Sequence, residues 1–170
     1  MSIASKEIRV LAVVQTINHT LPVEIVEFPQ WSGKKIKYTK GDYKYVLDQD
    51  YVVETGICPL IEDICSPFAH MDQSGLLWIV KGYAWNGPSG PTIDTKTFLR
   101  GSLIHDALYQ LMRWDLLDNN FREAADDLLR DICLEDGMNP IRAWYVHKAV
   151  RLAGKELSTP STRRKIRTAP

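Results

Sequence analysis

His105 and Asp106 form the one adjacent His-Asp pair in the chain, in the stretch YAWNGPSGPTIDTKTFLRGSLIHDALY that ends at Tyr109. An imidazole near neutral pKa can take a proton from water, and a carboxylate can orient it or hold a cation. Upstream lies Trp85-Asn86-Gly87-Pro88-Ser89-Gly90-Pro91. Its glycines permit close backbone approach and its prolines stiffen the turn. Phe98, Ser102, His105 and Tyr109 follow at steps of four, three and four, which is one face of a helix. Asp106 stands roughly 100° around that helix from His105, so its carboxylate can point toward the loop while the imidazole points elsewhere. A second acid lies 21 positions after His105 at Asp126, with Asp127 beside it. That separation is enough for a helix end, a turn and a returning helix. Either acid can be the partner of His105 on this reading.

These residues need elements to hold them. Residues 1–84 are expected to be β-rich, with short runs of Val, Ile, Tyr and Trp at 8–15, 23–28, 34–39, 43–47, 51–54 and 76–83. Turn-forming clusters such as Lys40-Gly41-Asp42 and Asp72-Gln73-Ser74-Gly75 separate them. The proline-bearing segment 58–70 is expected to be a loop or a short helical turn. Residues 85–95 form the connecting loop, and three helices are expected over about 96–154. The first runs to Arg113. The second is 121–134, with N-cap candidates at 118–120 and Gly137 as its stop. The third starts at Asn139-Pro140, a cap followed by proline at the first helical position, and stops at Gly154. Its buried face is assigned to Ile141, Trp144, Tyr145, Ala149 and Leu152. The fold class is therefore α+β: one domain over 1–156, then a basic tail over 157–170.

Composition narrows the function classes. A chain of 170 residues, 45% of them hydrophobic, can bury a real core. It carries 21 Lys and Arg against 21 Asp and Glu, so no nucleic-acid partner is expected from overall charge. No apolar run is long enough to span a bilayer, and the N-terminus reads as a strand, with no signal peptide. Three cysteines, Cys58, Cys65 and Cys133, suit a reducing compartment and are expected to be buried small side chains. His19, His70 and His147 have no partner at ligand spacing. Trp31, Trp78 and Trp144 read as core or half-buried anchors. The run Arg163-Arg164-Lys165 is either simply solvated or a contact for phosphate or an acidic partner.

The loop, the His-Asp-x-x-Tyr helix and the Ala125-Asp126 pair on a following helix resemble the calcium-dependent phospholipases A2. The likeness is nearest to the phospholipase domains of parvovirus capsids and to the bacterial and fungal secreted enzymes. It covers less than a third of the chain. It implies Ca2+ held by the Asp106 carboxylate and by backbone carbonyls at Trp85, Gly87 and Ser89. It also implies His105 as general base, Asp126 fixing the imidazole tautomer, and Tyr109 bonded to that carboxylate. A phospholipid membrane surface would then be a partner.

Most of the chain also resembles a phage and prophage family of unknown function. The carrying motifs are residues 82–91, His105 to Tyr109, Ala125-Asp126 and Val150-Arg151-Leu152-Ala153-Gly154. This likeness implies phage origin and a place in the virion or the host cytoplasm. Other phage particle subunits, of the tail or elsewhere in the particle, would contact the β-rich half or the basic C-terminal segment. A non-catalytic virion component, in which the His-Asp-Tyr cluster only holds helices together, is the alternative function.

Overall fold

The computed structural model describes residues 43–59, 62–87 and 96–162, and the backbone of 14–15 and 20–21. The strands expected at 23–28 and 34–39, Ser89 with its proline neighbours, and the charge run from 163 lie outside these residues.

Among the described residues there are eight short strands: β1 (Val14–Gln15), β2 (Thr20–Leu21), β3 (Tyr45–Val46), β4 (Tyr51–Glu54), β5 (Ile64–Cys65), β6 (Ala69–Met71), β7 (Leu76–Ile79) and β8 (Ala84–Trp85). Three helices follow, α1 (Lys96–Arg113), α2 (Arg122–Glu135) and α3 (Pro140–Leu157). The class is α+β, with the strands in the N-terminal half. Six strands form one sheet in the order β2-β1-β4-β7-β6-β5, and β3 pairs with β8 separately. All sheet pairings are antiparallel except β1 with β4, where Val14 lies opposite Val52.

The segment 58–70 departs from the expected loop. It holds β5 and the start of β6, joined by a turn that Ser66 closes: its hydroxyl donates to the Ala69 carbonyl at 2.6 Å and accepts the Ala69 amide at 3.0 Å. The run 76–83 also breaks after Ile79, and its last residues turn the chain into β8. Strands β6 and β7 are buried along their whole length, as central strands covered on both faces are. Between them, Asp72 Oδ1 accepts the amides of Ser74 and Leu76, both at 2.9 Å. Gly75 there has φ +89°, and a side chain at that position would strike the Ile57 carbonyl.

The helices begin where cap chemistry puts them. Asp118 accepts the Asn120 amide at 2.7 Å and opens a 3₁₀ turn that leads into α2. Asn139 accepts the Ile141 amide at 2.9 Å, with Pro140 at the first position of α3. Gly137, at φ +84°, ends α2. α1 packs on α2, and α2 on α3. At Gly101 the first pair comes close, with Leu129 and Cys133 filling the space a side chain would need. One apolar core runs from Val53, Met71, Leu77 and Ile79 of the sheet to Ile104, Leu108 and Ile132 of α1 and α2.

Three expectations about side chains are overturned. The inner face of α3 is Ala143, Val146 and Val150, packed with Phe98, Leu129, Cys133 and Met138, while Ile141, Trp144, Tyr145, Ala149 and Leu152 face outward. Small and β-branched residues let α3 sit close to α2, and among the described residues the bulky side chains have no neighbouring element to enter. Gly154 does not stop α3, which continues to Leu157. Of the cysteines only Cys133 is buried; Cys65 is half-buried and Cys58 is exposed in the turn after β4.

Candidate active site

Helix α1 places Ser102, His105 and Tyr109 on its buried side, toward β8 and α2. The Trp85 indole donates to Ser102 Oγ at 3.3 Å and ties the end of β8 to the helix. The His105 and Tyr109 rings lie against each other, 4.1 Å between centroids. Both reach the same carboxylate oxygen on α2. His105 Nε2 is 2.9 Å from Asp126 Oδ1, and the Tyr109 hydroxyl donates to that oxygen at 2.7 Å.

Asp126 is 0% exposed, and its second oxygen faces two arginines. Arg122 Nη1, one turn earlier on α2, donates to Oδ2 at 3.2 Å, and Arg151 Nε of α3 stands 3.6 Å away. A buried carboxylate is tolerable only with such partners. The network therefore joins all three helices through one side chain. Gly154 belongs to it by steric necessity, since a Cβ there would overlap the Tyr109 hydroxyl.

Asp127, left open as the alternative partner, points elsewhere. It meets His147 Nε2 at 2.8 Å and Arg151 Nη2 at 3.0 Å, and its side chain is 43% exposed. His147 is thus not partnerless, contrary to the reading of its sequence spacing. Arg151 also holds Glu123, Nη1 to Oε2 at 2.7 Å, so it clamps α3 to the first turn of α2.

The electrostatics follow from these contacts. Burial pulls the His105 imidazole pKa down, but the Asp106 and Asp126 carboxylates outweigh it and hold the pKa above its ordinary value. Burial, and then the Asp126 charge, push the Tyr109 phenol well above its usual range, so it stays a donor. For Asp127 burial acts upward, yet Arg151, His147 and Arg130 prevail and its pKa falls below the usual carboxylate value.

His105 Nδ1 is the nitrogen not taken by Asp126. It lies 4.0 Å from Asp106 Oδ1, an ion-pair distance too long for a hydrogen bond. When the neutral ring donates its Nε2–H hydrogen bond to Asp126, it presents its lone pair at Nδ1. The His105 side chain keeps 10% of its surface open and Asp106 keeps 30%. Among the described residues Asp106 has no ion pair with an arginine or lysine. Of the loop positions expected to offer carbonyls, Trp85 lies in β8 opposite Tyr45, Gly87 follows with φ +70°, and Ser89 is outside the described residues. No group of three or more His, Cys, Asp or Glu side chains at metal-binding distance occurs among the described residues. A cation at Asp106 would therefore depend on backbone oxygens.

Sequence reading missed Arg122, Arg151, Gly154 and His147. A signal for the first existed: Arg122 precedes Asp126 by one helical turn. No family model, curated protein or solved structure matches the chain.

Proposed function

We propose that the chain is a phage- or prophage-encoded hydrolase of phospholipid esters, of the phospholipase A2 type. The observation that carries this reading is one carboxylate oxygen of Asp126 receiving both His105 Nε2 and the Tyr109 hydroxyl. His105 Nδ1 is left on the side of the part-exposed Asp106. Asp126 fixes the tautomer, Tyr109 steadies Asp126, and His105 takes a proton from water through Nδ1. Asp106 would hold Ca2+ together with backbone oxygens at Trp85, Gly87 and Ser89. Such an ion would supply Lewis-acid polarisation of the ester carbonyl.

Fatty-acid release from phospholipid vesicles, with and without calcium, tests the proposal. The parent protein should be active only with calcium. His105→Ala should lose about a hundredfold or more, and Asp106→Asn should abolish the calcium response.

A second reading has its own support. Arg122 and Arg151 both face Asp126, an arrangement that binds three helices whether or not any chemistry occurs. In a virion or tail component the cluster would be purely architectural. An inactive parent protein that keeps its fold would favour that role, with partner subunits on the β-rich half or the basic tail. No helix among the described residues is long and apolar enough to cross a membrane.

A further inference from the structure

Nitrogen Nε2 of His147 stands between two groups that make opposite demands on it. Asp127 Oδ1 of α2 lies 2.8 Å away, and an ionised carboxylate can only accept. Arg151 Nε, one turn further along α3, lies 3.3 Å away with its proton directed at the same nitrogen. A guanidinium can only donate. One ring nitrogen serves one of them at a time. With a proton on Nε2 the imidazole donates to Asp127 and shuts Arg151 out. With Nε2 bare it accepts from Arg151 and sets a lone pair against the carboxylate. The His147 side chain is 12% exposed, so solvent reaches the ring.

Arg151 has a second use for that proton. Its other nitrogens are occupied: Nη1 meets Glu123 Oε2 at 2.7 Å, and Nη2 meets Asp127 Oδ2 at 3.0 Å and the Glu123 carbonyl at 3.1 Å. Those contacts pin the far end of the guanidinium on α2. Nε remains able to change partner, and Asp126 Oδ2 is 3.6 Å from it. A swing of about half an ångström makes that a hydrogen bond. The groups facing the His147–Arg151 pair from α2 are Glu123, Asp126 and Asp127, with Arg130 Nη1 3.4 Å from Asp127 Oδ1. From α1 come His105 and Tyr109, both on the other oxygen of Asp126. Arg151, His147 and Arg130 together keep Asp127 ionised below the usual carboxylate range.

We propose that Arg151 is a positioning residue for the Asp126 carboxylate, and that a proton on His147 hands the Arg151 Nε–H to that carboxylate. With His147 neutral, the ring can keep the Arg151 contact, and Asp126 Oδ2 has its hydrogen bond from Arg122. With His147 charged, Nε2–H is committed to Asp127, and imidazolium and guanidinium repel each other. Arg151 Nε then turns to Asp126 Oδ2. Two guanidinium donors fix the plane of the carboxylate, and with it the direction of Oδ1 toward His105 Nε2. A half-buried histidine on the third helix thereby adjusts a site it does not touch. The exchange of hydrogen bonds stands on the geometry alone. Its consequence for hydrolysis deepens the phospholipase reading and rests on it.

The test is NMR on the full chain labelled with nitrogen-15, following the arginine Nε–H signals from about pH 8 to about pH 5, where imidazoles change charge. The Arg151 signal is the one that Arg151→Lys removes. It should move in a step whose midpoint matches that of the His147 ring C–H signal. In His147→Gln, a side chain with no charge at any pH, that step should be lost. In Asp127→Asn, which alters the acid on Nε2, the two midpoints should move together. In vesicle hydrolysis with calcium, Arg151→Lys should lower kcat while KM stays near the parent value, because one ammonium cannot meet Asp126, Asp127 and Glu123 together. The loss should be smaller than that of His105→Ala.

An Arg151 signal that stays still while His147 titrates overturns the inference. So does a step that survives in His147→Gln, or midpoints that separate in Asp127→Asn. A higher KM with kcat unchanged in Arg151→Lys denies Arg151 the positioning role. A step shared by the two residues in a chain without hydrolysis keeps the exchange and removes the catalytic reading. Hydrolysis by a chain whose Arg151 signal ignores His147 does the reverse.

Discussion

Asp126 is the residue on which the site turns. It is buried, its two oxygens serve four side chains from three helices, and two of those are arginines. Asp127, its neighbour, has a similar roster of partners but meets solvent. The two positions should respond very differently to the same change. Asp126→Asn leaves Arg122 and His105 without their counter-charge in the interior, a defect of about 3–5 kcal/mol. Asp127→Asn breaks a screened surface cluster and should cost less than about 1 kcal/mol. Urea denaturation of the two variants checks the contrast.

His105 adds a pH dependence whose sign is fixed by its raised pKa. Its stabilising contribution is complete below the unfolded imidazole value of about 6.5. That contribution is lost as pH climbs through the higher folded value. Parent and His105→Gln stabilities should therefore converge with rising pH across that window. Hydrolysis should run the opposite way, because only the neutral ring can accept a proton. The rate should increase through the same interval in which the stability contribution declines.

At the scale of elements, the helices were legible and their faces less so. The α1 boundaries follow from the motif spacing and from Arg113. The α3 start follows from Asn139-Pro140, and strand β4 coincides with the run of Tyr51, Val52 and Val53. The inversion of α3 has a definite cause. Its sequence carries two apolar stripes, one bulky and one small, and pattern alone cannot tell which a neighbour will cover. Cys133 and Leu129 lie under the small one, and close packing there selects Ala143 and Val146. The β5–β6 hairpin escaped notice because Pro59 and Pro67 flank strands of only two and three residues. Gly154 was misread as a stop because glycine commonly ends helices, whereas here it makes room for a hydroxyl from another helix. Gly154→Ala should thus destabilise by about 1–3 kcal/mol through overpacking, although alanine favours the helix itself by ~1 kcal/mol. Adding Tyr109→Phe should recover part of the loss, so thermal melts of both single variants and the double should show non-additivity.

Across the whole molecule, the sheet and the α1–α2 pair share one apolar core, with Ile79 and Leu77 from one side meeting Leu108 and Ile104 from the other. Neither half buries its apolar face without the other. Unfolding followed by far-ultraviolet circular dichroism and by tryptophan fluorescence should accordingly give coincident transitions. Leu108→Ala, a cavity at the junction, should shift both together by about 2–5 kcal/mol. The site is assembled only at this scale. The 21-residue separation of His105 and Asp126 suggested two helices, but Arg151 arrives from a third element that no local pattern connects to the first two.

The join between β1 and β4 carries a last consequence. Strands β4, β7, β6 and β5 form an antiparallel run of near neighbours in the chain, whereas β1 reaches β4 from far upstream and lies parallel to it. Among the described residues β1 alone shields the free backbone amides and carbonyls of β4 on that side. A chain that loses its first two strands, by proteolysis or shortening, would present that row as a template for strand addition by another molecule. Such a fragment should aggregate with a cross-strand signature even while its helices remain folded.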